Sequence, residues 1–224
     1  MSVVLDEARA TTRQVARTFA LACRLLPRDV RDDVYLLYLV FRTLDDLVDE
    51  HLPEASERVS AVERWCAGEA VVSPETSILA DLAARHDLPR DALLDFCAGM
   101  RDDIEGAVYE TEADVDRYCY RVAGTVGVVM TSILGAQDLD RARPAAAALG
   151  MAMQRTNILR DIDEDVANGR VYFARETLAR FGSLEPGRRE FLLRDQIRRA
   201  DALYDQEIAR RPRRNSPMPA IPWS

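Results

Sequence analysis

Two pairs of aspartates stand out among the residues of this chain that could do chemistry. Asp45 and Asp49 form the first pair and Asp161 and Asp165 the second, and each pair is spaced four residues apart within a helical pattern. Four residues are about one helical turn, so the two carboxylates of a pair share one face and repel each other. A cation between them removes this repulsion. Oxygen ligands without a nearby His or Cys favour a hard ion, and Mg²⁺ held together with a substrate phosphate is the usual arrangement.

The first aspartate pair continues a polar stripe along its helix. Tyr38 and Arg42 precede Asp45 and Asp49 at spacings of four, three and four residues, so a phenol, a guanidinium and two carboxylates share one face. The other positions are apolar, which predicts a helix that is buried on most sides and turns this stripe towards a polar site. The structural alternative is a solvated acidic face with an ion pair from Arg42 to Asp45 or Asp46.

The second pair also belongs to a polar stripe. It combines two amides and two carboxylates at helical spacing: Gln154, Asn157, Asp161 and Asp165. Such groups are costly to bury unless they are satisfied, and metal ions with a diphosphate would satisfy them. Arg160 lies beside the stripe, and Arg170 and Tyr172 follow the helix. A capped, exposed helix end is the alternative.

A third segment, residues 118–130, begins with Tyr118 and contains two glycines, Gly124 and Gly127, inside a helical pattern. Each helical glycine costs about 1 kcal/mol relative to alanine. Glycines are therefore predicted where a helix kinks, or where another chain or a ligand approaches closely. Close helix packing is one alternative, and an apolar cavity wall is the other. The wall would be formed by Val122, Ala123, Val126, Gly127 and Met130.

Two further polar groups are weaker candidates. Arg17 and Thr18 offer a guanidinium and a hydroxyl that could hold phosphate oxygens, although Thr18 could instead bond back to its own helix. Asp102, Asp103 and Glu105 form a third acidic group without accompanying amides. We interpret that group as a solvated or ion-paired face.

Composition and periodicity predict one all-α domain over residues 1–209. The formal charge of −8 and the pI near 5.0 argue against a nucleic-acid partner. No signal peptide and no apolar run long enough to span a membrane is apparent, which predicts a cytoplasmic protein, with contact to a membrane surface left open.

The four cysteines are predicted to be buried free thiols. Residues 210–224 are rich in Arg and Pro and are predicted to form a disordered tail. Helices are expected at about 6–25, 30–50, 56–68, 75–85, 89–106, 114–135, 142–166, 174–181 and 187–210.

Taken together, these motifs resemble the squalene/phytoene synthase family of head-to-head prenyl synthases. The resemblance covers roughly residues 10–205, and the last two stretches are highly specific. The matching stretches are Arg17-Thr-Phe-Ala…Leu-Leu-Pro27, Tyr38-Leu-Val-Phe-Arg42-Thr-Leu-Asp45-Asp-Leu-Val-Asp49, Tyr118-Cys-Tyr-Arg-Val-Ala-Gly-Thr-Val-Gly127 and Gly150-Met-Ala-Met-Gln154-Arg-Thr-Asn157-Ile-Leu-Arg160-Asp161-Ile-Asp-Glu-Asp165…Arg170-Val-Tyr172-Phe.

The resemblance implies a helical bundle around a central apolar cavity whose mouth holds two or three Mg²⁺ ions. It implies metal ligation by Asp45, Asp49, Asn157, Asp161 and Asp165. It implies contacts to the substrate diphosphates from Arg17, Thr18, Tyr38, Arg42, Gln154, Arg160, Arg170 and Tyr172. Tyr118 is implied to take part in ionisation and rearrangement, together with Asp45 and Asp161, and no nicotinamide cofactor is expected.

The implied reaction joins two prenyl diphosphates head to head through a cyclopropyl diphosphate. Phytoene synthesis from geranylgeranyl diphosphate, in carotenoid biosynthesis, is the leading hypothesis. Squalene or dehydrosqualene synthesis from farnesyl diphosphate is the alternative, and a non-catalytic helical partner protein is the alternative of another class. Family members typically continue with further helices after the segment matching residues 191–204. A truncated product, a cavity wall completed by a second copy and a weakened enzyme all fit this difference, and we expect a monomer or a weak homodimer.

Overall fold

The computed structural model describes residues 2–210, with side chains described for residues 3–206. All regular secondary structure in this part of the chain is helical. No β-strand occurs within this part, so the predicted all-α class is confirmed. The helices are α1 (Ser2–Val15), α2 (Arg17–Cys23), α3 (Arg28–Asp49), α4 (Ala55–Cys66), α5 (Pro74–Ala83), α6 (Arg90–Glu105), α7 (Glu112–Cys119), a π-helical segment (Tyr120–Gly124), α8 (Thr125–Ile133), α9 (Leu139–Arg160), α10 (Ile162–Ala167), α11 (Arg175–Phe181) and α12 (Glu190–Arg210).

Helix α3 is the centre of the larger of two apolar cores. It contacts α1, α4, α5, α6 and α8, and its buried residues include Leu37, Val40 and Leu44. The ring of Phe41 meets that of Phe96 on α6 edge to face, with 4.7 Å between centroids. Because apolar residues cover most of its circumference, α3 is held rigidly while one polar stripe is left for a site.

Helix α9 organises the second core. It packs against α7, the π-helical segment, α8 and α12. Residues buried in this core include Tyr118, Cys119, Ile158 and Leu192. Val122 packs against both cores. The first aspartate pair is therefore carried by a helix of the larger core, and the second lies at the end of a helix that organises the second core.

Glycines bring α8 and the π-helical segment into backbone contact with α9. A Cβ on Gly127 would lie 2.4 Å from the carbonyl oxygen of Ala146, and a Cβ on Gly150 would lie 2.3 Å from that of Ala123. No side chain fits at either position, which gives both glycines a packing reason that outweighs their helix-propensity cost.

Three predicted helices are each divided in the structure. The predicted helix 114–135 becomes α7, the π-helical turn and α8, and the helix 142–166 is interrupted at Asp161, where φ is −100° and ψ 11°. The helix 6–25 is interrupted at Ala16, where φ is −124° and ψ 63°. Hydrophobic periodicity in the sequence continues across such local breaks, so the pattern alone does not reveal them.

The four cysteines, Cys23, Cys66, Cys97 and Cys119, are free and buried, as predicted. Among the helices described, none combines the length and apolar character that crossing a bilayer requires. The predicted tail, residues 210–224, lies outside the described residues except for Arg210, at which α12 ends.

Candidate active site

The first aspartate pair lies at the C-terminal end of α3, beside arginines. Arg42 Nη1 donates to Asp45 Oδ2 at 3.1 Å, and the Arg42 guanidinium also pairs with Asp46. The Nε of Arg42 is buried and has no partner among the described residues. The ion pairs foreseen as the structural alternative therefore form, and one donor of the same guanidinium stays buried without a partner among the described residues.

A loop after α10 closes over the end of α3. Arg170 Nη1 donates to Asp49 Oδ1 at 2.5 Å, a contact between residues 121 positions apart in the chain. Burial and this carboxylate act in opposite directions on the guanidinium, and the net effect raises the pKa of Arg170. Arg170 thus stays charged and joins the two halves of the site.

The second aspartate pair lies where α9 passes into α10. The backbone N–H of Asp161 donates to the carbonyl of Asn157 at 2.9 Å, and that of Asp165 donates to the carbonyl of Asp161 at 2.8 Å. Helical spacing is therefore kept through the break, and the stripe stays continuous. Arg160 makes a two-pronged contact with Asp161, at 2.7 Å and 2.6 Å, and Asn157 Nδ2 donates to Gln154 Oε1 at 3.4 Å.

Both stripes meet in one pocket of about 200 Å³. This volume is below the roughly 300–1,000 Å³ of complete small-molecule sites, so it suits a polar head group better than whole prenyl chains. The pocket is lined by Arg42, Asp45, Asp49, Asp103, Tyr118, Gln154, Asn157, Ile158, Arg160, Asp161, Asp165, Arg170 and Tyr172.

Like charges shift the protonation of two of these carboxyls. Burial, followed by the charge of Asp49, raises the pKa of Asp45 to about 7, although 42% of its side chain remains exposed towards the pocket. Burial, followed by the charge of Asp161, raises the pKa of Asp165 to about 6. Both shifts have the sign expected of buried carboxyl groups that face other carboxylates, and Arg42 and Arg170 offset them only in part.

The donor set fits Mg²⁺ that arrives together with a diphosphate. Among residues 3–206, no group of three or more His, Cys, Asp or Glu side chains is close enough to hold an ion by itself. Mg²⁺ commonly binds through one or two carboxylates, with substrate phosphates and water completing its octahedron. Pairs of aspartates across a pocket, with amides and arginines beside them, match that mode and not a preformed all-protein cage.

Asp103 is a site residue that the sequence reasoning missed. Tyr118 donates its hydroxyl to Asp103 at 3.0 Å and 3.2 Å, and Tyr172 donates to the same carboxyl at 3.0 Å. The two tyrosine rings stack, with 5.1 Å between centroids and 20° between planes. Burial raises the pKa of Asp103 to about 6. The interpretation of Asp103 as part of a solvated face was wrong, because α7 and the loop after α10 cover it.

Its neighbour Asp102 does follow that interpretation. Asp102 accepts from Arg121 Nη1 at 2.8 Å. The two adjacent aspartates of α6 therefore point in different directions, one into an ion pair and the other into the pocket. In the sequence, only the presence of two adjacent aspartates indicated that one of them could serve the pocket.

A buried ionic network supports the second stripe from behind. Arg155 exposes only 3% of its side chain and contacts Glu112 at 3.0 Å, Asp116 at 2.7 Å and Gln196 at 2.9 Å. Glu112 also accepts hydrogen bonds from Thr177 and Gln196. This network ties α7, α11 and α12 to the part of α9 that carries the amides, and no sequence motif pointed to it.

Some predicted contact residues lie outside the acidic pocket. Arg17 and Thr18 are exposed at the start of α2. Tyr38 is partly buried and packs on Phe19, with 5.3 Å between ring centroids, next to Arg42. None of these three residues lines the pocket, and their contacts to diphosphate stay predictions.

The residues predicted to form an apolar wall also lie outside the acidic pocket. Gly127 and Ala123 contact α9 through backbone atoms, so these two serve the helix packing foreseen as the alternative. Val122, Val126 and Met130 pack against the larger core. Their role beside a substrate stays a prediction.

Comparison with solved structures identifies the class of fold. The chain superimposes on a dehydrosqualene synthase, crystallised in complex with a ligand, with a TM-score of 0.82 and 27% identity, over 93% of this chain and 77% of that one. An all-α bundle of this kind is an isoprenoid synthase fold.

The particular family follows from the sequence comparisons. The squalene/phytoene synthase family profile matches residues 12–221, and the chain belongs to that family, as its motifs predicted. It is 35% identical over 204 residues to the 15-cis-phytoene synthase of Synechococcus elongatus, which covers 83% of this chain and 65% of the relative. It is 33% identical over 177 residues to the 4,4'-diapophytoene synthase of Staphylococcus haemolyticus. That match covers 75% of this chain and 61% of the relative. The chain thus spans less than two thirds of the length of both relatives.

Proposed function

We propose that this chain catalyses the Mg²⁺-dependent head-to-head condensation of two prenyl diphosphates through a cyclopropyl diphosphate. Phytoene synthesis from geranylgeranyl diphosphate is the leading activity. One observation carries the proposal: two aspartate pairs from different helices line one pocket together with Arg42, Arg160 and Arg170. Acids that would otherwise repel each other, interleaved with permanent cations, suit a metal-bound diphosphate.

In this proposal the chain's own residues bind and orient the leaving group. Asp45, Asp49, Asn157, Asp161 and Asp165 would hold Mg²⁺, which when bound neutralises diphosphate charge so that the allylic C–O bond can ionise. The arginines lining the pocket exchange their present carboxylate partners for diphosphate oxygens. The Nε of Arg42, which has no partner among the described residues, would become a further donor when the guanidinium turns towards the diphosphate.

The tyrosine pair would act on the cationic part of the reaction. The stacked faces of Tyr118 and Tyr172 can stabilise positive charge on a prenyl chain. Asp103 fixes both hydroxyls, which keeps the rings in place while the second chain attacks and the cyclopropyl intermediate rearranges. An apolar cavity around the prenyl chains would exclude the water that otherwise quenches the cation.

The substrate remains part of the proposal. The phytoene synthase and the diapophytoene synthase are similar to this chain at nearly the same identity. Product length depends on the depth of an apolar cavity that the polar pocket of about 200 Å³ does not include. We therefore keep condensation of farnesyl diphosphate as the second candidate.

The test is incubation of the purified chain with Mg²⁺ and either geranylgeranyl or farnesyl diphosphate, followed by mass spectrometry of the extracted hydrocarbon. Asp45→Ala and Asp161→Ala should lower product formation by more than about 100-fold, since metal stabilisation of developing charge is worth several kcal/mol. Asp29→Ala, at an exposed acid in the first turn of α3, is the matched control and should keep activity. A folded protein that forms no hydrocarbon from either substrate contradicts the proposal and favours a non-catalytic partner.

A further inference from the structure

Two exposed leucines lie at the C-terminal end of α2 and in the turn that follows it. Leu21, on the helix, exposes 63% of its surface, and Leu25, in the turn, exposes 89%. The opposite side of this short helix is held in the core by Phe19 and the buried Ala20 and Cys23. The inner side of α2 is therefore anchored, while Leu21 and, two residues beyond the helix end, Leu25 remain exposed.

Unpaired arginines surround these leucines. Elsewhere on the described chain arginines usually pair with acids, as Arg9 does with Asp32 and Arg101 with Glu63. In contrast, four exposed arginines near α2 form no ion pair or side-chain hydrogen bond with any residue in the described part of the chain. They are Arg13, Arg17, Arg24 and Arg28. Arg17 is also a predicted diphosphate contact, so the name α2 patch is used below for Arg13, Arg24 and Arg28 together with Leu21 and Leu25.

The α2 patch is also a concentration of positive charge on an acidic protein. Residues 13–31 contain five arginines and one aspartate, a net charge of +4. The whole chain has a formal charge of −8, so the remaining residues sum to −12 (−8 − 4). A field of opposite sign restricted to one surface orients a protein towards an anionic partner.

We propose that the α2 patch docks this protein on a membrane surface that contains anionic lipids. Leu21 and Leu25 would enter the interface, and the guanidinium groups would lie at the level of the headgroup phosphates. Exposed leucines between arginines are typical of interfacial helices, whereas a nucleic acid would leave the leucines without an apolar partner. A second copy of the patch, or residues 211–224 with Arg211, Arg213 and Arg214, would bring like charges together.

The α2 patch lies around a helix that contacts the pocket helix, so docking could bring the membrane close to the acidic pocket; this step rests on the proposed function. Phe19, on the inner side of α2, contacts Tyr38, which precedes the pocket residue Arg42 by one helical turn. A docked membrane would thus lie beside the mouth of the acidic pocket. Prenyl diphosphates combine a long apolar chain with an anionic head group, so a bilayer interface would both supply the substrate and accept the hydrocarbon.

Vesicle flotation of the full chain, without substrate or Mg²⁺, tests the docking. The protein should float with vesicles that contain phosphatidylglycerol at low salt, and should remain behind with phosphatidylcholine alone. Each arginine near an anionic surface contributes a factor of about five, so Arg24→Gln with Arg28→Gln should weaken binding about 25-fold. Leu21→Ser with Leu25→Ser should weaken it by at least about tenfold.

Two matched variants separate the patch from general surface effects. Arg188→Gln with Arg198→Gln makes the same change of charge at arginines whose side chains are 75% exposed but ion-paired, and Val72→Ser removes a valine that is 91% exposed. Both should float like the wild type. Equal losses in patch and control variants, or no flotation of the wild type with anionic vesicles, overturn the docking. Because no catalysis is measured, neither result bears on the proposed reaction.

Discussion

Replacing Gly150 by alanine would test whether close backbone packing positions the second half of the site. An added Cβ would lie 2.3 Å from the carbonyl oxygen of Ala123, 2.7 Å from its carbonyl carbon and 3.0 Å from Cα of Gly124. All three atoms belong to the backbone, so no side-chain rotation relieves the overlap. Ordinary contact begins at 3.4 Å, and α9 would have to move away by 1.1 Å (3.4 − 2.3).

The expected cost follows from two opposing terms. Overpacking costs about 1–3 kcal/mol, and a contact with backbone atoms belongs at the upper end of that range. The better helix propensity of alanine raises the free energy of unfolding by about 1 kcal/mol and so offsets part of this cost. The net loss of about 2 kcal/mol should lower the midpoint of thermal unfolding by about 4–8 °C in a chain of this size.

The same movement should reach the pocket. Gln154 lies one turn after Gly150 on α9, and Asn157 nearly two turns after it. Misplacing a binding constellation by about 1 Å can reduce turnover about 100-fold. Circular dichroism measures the unfolding midpoint, and hydrocarbon formation with Mg²⁺ measures the turnover.

A control variant isolates the propensity term. Ala80→Gly changes the same two residue types in the reverse direction at an exposed position of α5, and should cost only about 1 kcal/mol. If Gly150→Ala unfolds at the wild-type temperature or above it, and retains full turnover, α9 is not held by this contact and the reasoning is refuted.

Three further outcomes are expected. Arg155→Met should reduce the free energy of unfolding in urea by about 3–5 kcal/mol, because it leaves a buried carboxylate without its partner; a loss below about 1 kcal/mol would contradict a stabilising network. Asp103→Asn should lower turnover at least about tenfold without changing the Mg²⁺ concentration required, because Tyr118 and Tyr172 lose a charged acceptor; unchanged turnover would remove Asp103 from the site. Binding of Mg²⁺ with inorganic diphosphate should weaken as the pH falls from about 8 to about 6, because Asp45, with a pKa of about 7, is charged above that value and takes up a competing proton below it. A flat calorimetric profile across that range would speak against Asp45 as a ligand.

Much of the site could be predicted from spacing alone. Arg42, Asp45 and Asp49 share one stripe of α3 because helical geometry determines which residues share a face. Asn157 and Asp161 also remain on one stripe, since the break at Asp161 preserves helical hydrogen bonds on both sides. Local periodicity thus identified both halves of the polar pocket.

Other site residues depend on contacts between distant parts of the chain. Asp103 enters the pocket because hydroxyl groups from α7 and from the loop after α10 reach it, and Arg170 does so by pairing with Asp49, 121 residues away. No local sequence pattern predicts contacts between such distant residues. Two adjacent acidic residues on a helix give the same pattern whether they face solvent or another helix.

The sequence by itself determined the helical class, the family and the two polar stripes, because residue type and periodicity are local properties. Only the tertiary structure decided that the glycines at 127 and 150 serve helix contact and that Arg155 is buried in an ionic network. It also decided that the exposed arginines beside α2 find no partner within the described part of the chain. The physical reason is common to all three. Burial, close approach and ion pairing are relations between segments, and they exist only once the helices have packed.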